Sequence, residues 1–287
     1  MLASTLPHKL IKKDSTTFTL QEISWSSREV GDDYSNPFPS FIGKPIKDIF
    51  FHRNRLGFIS GGNVIFSRSG DFYNLFVSTA TDILDNDPID VSLLNNIGVS
   101  LQHACTFANG LVLFAKDRQF VPHSGQSLLT PKTIAIEPST AFENNPNCKP
   151  VEAGPSIYFS TPKGAYSGIR EYYTVPESSF NDAEDITQHV PYYIPKNVSY
   201  LLSVDSMDSL FVLTPDEPNA VYVYRYYWHG DERAQSSWSK WLFNDDVVSI
   251  FQSAGNLYVL TTGGSLLKVD ESTETTNLFL DTKTTQY

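Results

Sequence analysis

Four carboxylates lie close together in one short segment of the sequence: Asp82, Asp85, Asp87 and Asp90. Alternate carboxylates can converge on a calcium ion, which prefers oxygen ligands. The segment lacks the glycine and the final glutamate that an EF-hand loop requires at fixed positions. We therefore predict a solvated acidic loop here. No Cys/His cluster has the spacing of a zinc site, so we expect neither a metal nor a cofactor.

Residues suited to hydrolysis do not form a recognisable catalytic pattern. The turn Ser67–Phe72 faintly resembles the repeated Ser-x-Asp-x-Gly-x-x-Trp turn of sialidases, but the order differs and it occurs once. A glycosidase needs two carboxylates flanking the sugar bond, and among 32 acidic residues the sequence singles out no pair. The six histidines are scattered, without a His-x-x-x-His pair or a Gly-x-Ser-x-Gly elbow. We therefore predict no catalytic residue and no enzymatic activity.

Aromatic and charged residues are concentrated in the segment 222–241, which contains Trp228, Trp238 and Trp241. An aromatic platform could stack sugars or bases. The alternative is a β-hairpin whose long loop, His229 to Ser237, joins two strands. In that case most of the aromatic residues are core and the loop tip is free for a partner. We favour the hairpin and keep the three tryptophans as candidate interface residues.

Two arginines, Arg53 and Arg55, stand beside an apolar run. Arginine is enriched among the anchors of protein interfaces, so both are candidates for partner contact. They could equally be surface residues with buried stems.

Charge and composition exclude several classes of protein. The net charge is −11 and no basic cluster exceeds Lys12-Lys13, so a groove that grips a nucleic-acid backbone is not expected. The two cysteines, Cys105 and Cys148, do not make a disulfide framework in a chain of 287 residues, and we expect buried free thiols. No apolar run approaches the length of a membrane span, and the N-terminus has no apolar signal region.

Short alternating runs separated by turn residues dominate the chain and predict an all-β fold. Five inner apolar runs recur at intervals of roughly 45 to 55 residues, a spacing suited to four-stranded propeller blades. These runs are Leu56 to Ile59, Leu111 to Phe114, Ile157 to Phe159, Leu210 to Leu213 and Leu257 to Leu260. A further run precedes most of them, and another follows each.

A strand-turn-strand-turn-strand unit of this size cannot bury both of its faces alone. It must stack with its neighbours, radially in a propeller or face to face in a sandwich. We predict a β-propeller of five or six blades of antiparallel strands over residues 36–287.

The N-terminal residues 1–35 are predicted to form an arm. Thr17 to Trp25 and Thr276 to Leu280 each read as one strand, and the two could pair to close the last blade. Acidic, proline-containing linkers are expected from Asp82 to Asn96 and from Pro176 to Pro195. In the second linker, the carboxylates of 182–185 could cap the N-terminus of a short helix.

An ordered set of motifs over residues 5 to 245 resembles one family, the nozzle or tail tubular proteins of short-tailed phages. No single motif decides the matter, but together and in order they are specific. They are Asn36-Pro37-x-Pro39-Ser40-Phe41-Ile42-Gly43, Ile49-Phe50-Phe51-x-Arg53-Asn54-Arg55-Leu56-Gly57-Phe58, Ser67-Arg68-x-Gly70-Asp71-Phe72-x-Asn74, Asp87-Pro88-Ile89-Asp90, Leu129-Thr130-Pro131-Lys132, Tyr158-Phe159, Tyr166-Ser167-Gly168-Ile169-Arg170-Glu171, Asp182-Ala183-Glu184-Asp185-Ile186-Thr187-x-His189-Val190-Pro191, Glu217-Pro218-Asn219 and Gln235-Ser236-Ser237-Trp238-Ser239-Lys240-Trp241.

The resemblance implies a structural protein of the virion, made in the bacterial host cytoplasm. Members of the family contain a β-propeller and form a six-fold ring below the portal and adaptor. They line the conduit for DNA ejection and offer attachment points for tail fibres. The partners implied are therefore the adaptor, the tail fibre and other copies of the protein, with DNA only as passing cargo.

Members of the family are much longer than 287 residues and have β domains on both sides of the propeller. The resemblance thus covers the propeller-containing middle part, and we expect a fragment, a split gene or a prophage remnant. Ring formation is expected of the full-length protein. Two other functions remain open from the sequence: a propeller that binds or hydrolyses host surface polysaccharide, and an intracellular propeller scaffold.

Overall fold

The computed structural model describes residues 5–93, 98–107, 110–124, 129–175, 180–229, 232–270 and 283–286. The chain divides into two compact units, Met1–Ser139 and Thr140–Tyr287. Nearly all of the regular structure in the described residues is β-strand, with one short 3-10 turn at Asp205–Met207. The all-β prediction is therefore confirmed.

The first unit contains a two-stranded ribbon and two four-stranded antiparallel sheets. In each four-stranded sheet the strands follow one another in chain order, as a meander. The ribbon is β1 (His8–Lys12) and β2 (Phe18–Glu22). The first sheet is β3 (Asp48–His52), β4 (Arg55–Ser60), β5 (Asn63–Phe66) and β6 (Ile89–Ser92), and the second is β7 (Leu101–Phe107), β8 (Gly110–Ala115), β9 (Gln119–Ser124) and β10 (Ile134–Thr140).

The second unit contains three more antiparallel meanders of four strands each. The third sheet is β11 (Val151–Ala153), β12 (Ser156–Lys163), β13 (Tyr166–Thr174) and β14 (Asn181–Asp185). The fourth is β15 (Tyr200–Val204), β16 (Ser209–Leu213), β17 (Ala220–His229) and β18 (Glu232–Leu242). The fifth is β19 (Val247–Ser253), β20 (Asn256–Thr261), β21 (Leu266–Asp270) and β22 (Lys283–Gln286).

The five inner apolar runs are the second strands of the five sheets, as predicted. Strand β16 shows why these runs are continuous. Leu210 and Val212 belong to an apolar cluster shared with the third sheet, whereas Phe211 and Leu213 belong to one shared with the fifth sheet. Because successive side chains point to opposite faces, a strand buried on both sides must be apolar at every position.

The sheets of the first unit also share their cores. One cluster joins the first and second sheets and includes Phe66 of β5 and Leu113 of β8. A second cluster covers the other face of the first sheet, where Phe58 packs beside Phe41 and the arm residue Leu6. The predicted need for stacking is thus met within each unit.

The turn between β3 and β4 consists of Arg53 and Asn54, as predicted. Both residues have positive φ, 45° and 59°. Two successive left-handed residues are the signature of the type I′ hairpin, whose twist matches that of the flanking strands. This turn fixes the direction in which Arg53 and Arg55 leave the backbone.

Both predicted linkers contain strands. Ile89–Ser92 is β6, the edge of the first sheet, and Asn181–Asp185 is β14, the edge of the third. The prediction that the carboxylates of 182–185 cap a short helix is therefore wrong, because they lie in β14 and residues 186–189 form turns. Neighbouring strand β13 pairs with this segment, and Arg170 of β13 donates a hydrogen bond to the Ala183 carbonyl at 2.7 Å. Pairing with a sheet outweighs the local preference of carboxylates for a helix N-terminus.

The predicted strand 17–25 exists in part, as β2, and its partner is β1. Strand β22 pairs with β21 in its own sheet. The segment Thr276–Leu280 lies outside the described residues, so its pairing with the arm stays a prediction. Both cysteines are buried thiols outside any disulfide, as expected, with Cys105 7% exposed and Cys148 fully buried.

Candidate interaction surfaces

Arg55 lies in the interior of the first unit and is only 1% exposed. Its Nη1 donates to the carbonyls of Ser67 at 2.8 Å and Asp87 at 2.6 Å. Its Nη2 donates to the carbonyls of Asp85 at 2.8 Å and Leu129 at 3.3 Å. Burial lowers the pKa of the guanidinium and the Asp87 carboxylate opposes this change. Arg55 thus holds three loops together, and its position is neither that of a surface anchor nor that of an exposed residue with a buried stem.

Arg53 is exposed at the tip of the β3–β4 turn, so partner contact by this residue stays a prediction. The side chain before it, His52, is partly buried. Burial, together with the charge of Arg53, lowers the pKa of His52 to about 4. A neutral imidazole therefore lies beside a permanent positive charge at this turn.

The acidic segment is an organised loop and not a fully solvated one. Asp87 is fully buried and accepts hydrogen bonds from the backbone of Leu84 at 2.8 Å and of Ser78 at 3.4 Å. Asp90 turns toward Ser40, which donates its backbone N–H at 2.7 Å and its hydroxyl at 2.8 Å. Asp87 and Asp90 thus accept hydrogen bonds from different parts of the chain. Among the described residues no group of three or more His, Cys, Asp or Glu is placed to hold a metal ion.

The loop presents an exposed surface, which we call the acidic tip, made of Asp82, Ile83, Leu84 and Asp85. Ile83 is 54% and Leu84 40% exposed, and both aspartates are exposed. Arg55 fixes the Asp85 carbonyl from below. The acidic tip is therefore an apolar pair held between two carboxylates on a firmly anchored loop.

The N-terminal ribbon, β1 with β2, presents a second exposed apolar surface. Leu10 lies opposite Leu20, and Lys12 lies opposite Phe18 two residues further along the same face. Leu10 is 66%, Leu20 68% and Phe18 54% exposed. The ribbon is fixed at its base, where Leu6 and Ile23 are buried. Its far end is closed by Asp14, which accepts backbone hydrogen bonds from Thr16 and Thr17 at 2.9 and 2.7 Å.

The predicted aromatic hairpin is β17 with β18. Strand β17 ends at His229 and β18 begins at Glu232. The predicted loop from His229 to Ser237 is therefore much too long, because most of those residues belong to the strands. Trp241 is 7% exposed and packs on Phe211 with ring centroids 5.4 Å apart. Trp238 lies against Tyr224 at 5.0 Å. Trp228 lies at an irregularity of the pairing, and its side chain lies outside the described residues.

Trp238 is held by a hydrogen bond as well as by packing. Its Nε1 donates to the Ile186 carbonyl at 3.0 Å. Because Trp241 lies in the core and one face of Trp238 meets Tyr224, these two residues form no open stacking platform. Partner contact by the three tryptophans stays a prediction.

A buried polar cluster fixes this hairpin to the third sheet. Glu171 of β13 is 2% exposed, forms an ion pair with Arg233 of β18 and accepts the Ser156 hydroxyl at 2.8 Å. Burial raises the pKa of Tyr158 above its usual value and that of Tyr226 to about 12. The tyrosines therefore stay neutral, and the cluster is a means of attachment.

Two cavities lie beside the arm. One, of about 500 Å³, is lined by Trp25, Phe38, Phe76 and seven other residues, among which Glu22 is the one carboxylate. The other, of about 790 Å³, has no carboxylate in its lining. Neither offers the carboxylate pair that glycoside hydrolysis requires. No helix in the described part of the chain has the length and apolarity of a membrane span.

The comparison with protein families gives a match over the whole chain. The model of the bacteriophage nozzle protein family covers residues 1–287. The chain belongs to the bacteriophage nozzle protein family. The resemblance predicted from the ordered motifs is thus confirmed for this nozzle chain.

A curated relative agrees with the family match. The nozzle chain is 35% identical over 263 residues to the protein named tail tubular protein gp12 of Escherichia phage T7. The alignment covers 91% of the nozzle chain and 33% of the relative. The nozzle chain therefore spans about a third of the length of this curated relative.

Solved structures give only distant likenesses. The complex of the Nup170 N-terminal domain with Nup53 from Chaetomium thermophilum matches with a TM-score of 0.47 and 10% identity, over 80% of the nozzle chain and 37% of that chain. Hsv2 of Kluyveromyces lactis matches with a TM-score of 0.42 and 11% identity, over 83% and 80%. At such low TM-scores these likenesses carry no argument about the nozzle chain.

Proposed function

We propose that this chain is a structural module of a phage tail nozzle. It forms part of the conduit through which DNA is ejected and serves as a docking platform for the adaptor or the tail fibres. The observation that carries the proposal is the family match over residues 1–287, with a tail tubular protein as a relative at 35% identity. The proposed location of the protein is the tail of the virion.

The finer architecture that we propose is a β-propeller of five or six blades. Five four-stranded antiparallel meanders support it. So does the sharing of apolar clusters between successive sheets within each unit, because blades bury their faces against their neighbours. In the full-length protein, copies of the chain meet in a six-fold ring.

The charge of the chain supports a role as a conduit. With a net charge of −11, the protein has little attraction for the DNA backbone, whose binding depends on lysine and arginine. DNA is cargo that passes and is not retained. The proposed role needs no catalysis, no metal and no cofactor.

The proposal is tested on phage particles purified from bacteria in which the gene for this chain is expressed during phage production. Antibodies raised against this chain are bound to the particles and located by immunogold electron microscopy. The label is expected at the tail; label on the capsid, or no label on particles, would contradict the proposal.

A separate assay tests the absence of catalysis. The purified chain is incubated with a panel of capsular polysaccharides and lipopolysaccharides, and no release of reducing ends is expected. Release that one carboxylate substitution abolishes would overturn the structural role in favour of glycan hydrolysis.

A further inference from the structure

The N-terminal ribbon and the acidic tip are two exposed apolar surfaces of opposite charge on the same unit. The ribbon carries Leu10, Leu20 and Phe18 on one face, with Lys12 on that face and Lys13 next to it. All three apolar side chains are more than half exposed. Since a two-stranded ribbon alone is marginally stable in water, covering this face would stabilise it.

The acidic tip complements the ribbon in its apolar side chains and in its charge. Its apolar pair, Ile83 and Leu84, is bracketed by Asp82 and Asp85. The apolar face of the ribbon has Lys12 and Lys13 at its far end and Glu22 at its base. The carboxylates of the acidic tip match the lysine end, because opposite charges at the rim of a contact orient and accelerate association. The tip is also rigid, since Asp87 and Arg55 hold the loop, so docking costs little ordering of the backbone.

We propose that the N-terminal ribbon of one copy of this chain docks on the acidic tip of a second copy. Both surfaces are exposed within one chain, so neither covers the other there. One molecule carries both halves of the contact, and a second copy therefore satisfies it without another component. Such a contact joins unlike surfaces head to tail and leaves one free half at each end of a pair.

The inference rests on the proposed function in that copies of a tail protein meet in the particle, but its test uses purified chains. A chain that labels the tail but fails the test below would overturn the contact alone. A chain that passes the test but is absent from tails would overturn the proposed function alone.

Disulfide trapping tests the contact directly. Chains carrying Leu20→Cys and chains carrying Ile83→Cys are purified separately, mixed under mild oxidation and separated without reductant. The native thiols do not interfere, because Cys105 and Cys148 are buried and burial raises the pKa of Cys148 to about 12. The control partner is Phe180→Cys, which is 75% exposed beside the exposed Asp182 in the other unit.

A disulfide between Leu20→Cys and Ile83→Cys is expected to form at least about tenfold faster than one between Leu20→Cys and Phe180→Cys, because docking raises the local thiol concentration. Equal rates with the two partners would overturn the proposal. So would the absence of any cross-link, or cross-linking of Leu20→Cys only with itself, which would indicate that ribbon pairs with ribbon.

Charge reversal provides a second, independent measurement. One variant carries Lys12→Glu and Lys13→Glu, and another carries Asp82→Lys and Asp85→Lys. Each variant alone places like charges on both surfaces and is expected to lose self-association in sedimentation equilibrium. Mixing the two is expected to restore it, because each ribbon then meets a tip of opposite charge. Failure of the mixture to associate, when the unaltered chain does, would overturn the proposal.

Discussion

Arg55 has an unusual place among the charged residues of this chain, since it is buried and all four of its hydrogen-bond acceptors described here are backbone carbonyls. The carbonyls belong to residues 12 to 74 positions away along the chain. A charged residue of this kind does not stabilise by attraction to one partner. It satisfies the backbone of loops that no strand pairs, and for this reason the acidic tip keeps its shape.

Replacing Arg55 with methionine is expected to lower the free energy of unfolding by about 3–5 kcal/mol. Methionine replaces the aliphatic stem of the arginine but has no guanidinium, so it leaves buried carbonyls without a donor, each costing about 1–3 kcal/mol. Urea unfolding followed by circular dichroism measures the change. Arg53→Met, at the exposed turn, is the matched control and should change stability by less than about 0.5 kcal/mol. Similar losses in the two variants would contradict the structural role of Arg55.

His52 gives the chain a predictable dependence of stability on pH. Its folded pKa of about 4 lies below the ordinary value of 6.5. Between these values the unfolded chain binds a proton that the folded chain does not, so stability falls as pH falls from 6.5 toward 4. His52 is partly exposed, so we expect a loss of about 1–2 kcal/mol after allowance for solvent screening.

The measurement compares the unaltered chain with His52→Gln in urea at pH 7 and pH 5. The glutamine variant should lose less stability over this interval, because it lacks the titrating group. An equal loss in both proteins would assign the pH dependence to other residues.

Sequence patterns located single residues less well than they located strands. The position of Arg55 could not be predicted, because an arginine next to an apolar run looks like a surface residue until the distant carbonyls around it are known. Asp87 was likewise read with its neighbours as solvated, although its carboxylate is buried and closes its own loop. Arg55 and Asp87 are buried because of their tertiary contacts, which their residue types do not reveal.

At the scale of elements, the β17–β18 hairpin continues past the sheet to which it belongs. Strand β16 pairs with β17 only as far as Arg225, while the hairpin continues to His229. Beyond Arg225 the extension is held by one backbone hydrogen bond, from Tyr226 to the Asp208 carbonyl at 3.0 Å, and by the ion pair between Arg233 and Glu171. An element of this kind depends on one buried ion pair far more than a strand inside a sheet does.

Glu171→Gln is expected to destabilise the chain by about 3–5 kcal/mol, because it leaves the Arg233 guanidinium partly buried without its closest carboxylate. Thermal unfolding followed by tryptophan fluorescence detects the change. Glu184→Gln is the control: its side chain is 60% exposed and 3.9 Å from Arg233, so its loss should be below about 0.5 kcal/mol. Equal effects would show that burial of Glu171 does not matter.

The elements themselves divide into those that the sequence predicted and those that it did not. Inner strands such as β16 were found because burial on both faces makes every residue apolar. The last strands of the first and third sheets, β6 and β14, were missed because their acidic residues resemble those of a loop or a helix start. Strand β14 exists because β13 offers it hydrogen bonds, and that information lies in another part of the chain.

At the scale of the whole molecule, the dominant property is the excess of acidic over basic residues, 32 against 21. The low attraction for DNA that we expect from this excess stays a prediction. The sequence was sufficient to identify the family, because the motifs that resemble it lie in strands and turns that build the sheets.

The chain is expected to leave duplex DNA unretarded in a mobility-shift assay, even at about 50 mM salt, where non-specific binding is strongest. A variant in which several exposed aspartates are changed to lysine should retard DNA under the same conditions and shows that the assay can detect binding. Retention of DNA by the unaltered chain would contradict the proposed conduit.

The alternation along β16 has a mechanical consequence. Neighbouring residues of one strand, Leu210 and Phe211, are committed to different apolar clusters. The strand therefore contributes side chains to both clusters, one on each of its faces. Side chains in a densely packed interior transmit displacement instead of absorbing it. A pull that separates the fourth sheet from the fifth must also disturb its packing on the third. Tension applied at one edge of the second unit is thus divided over three sheets.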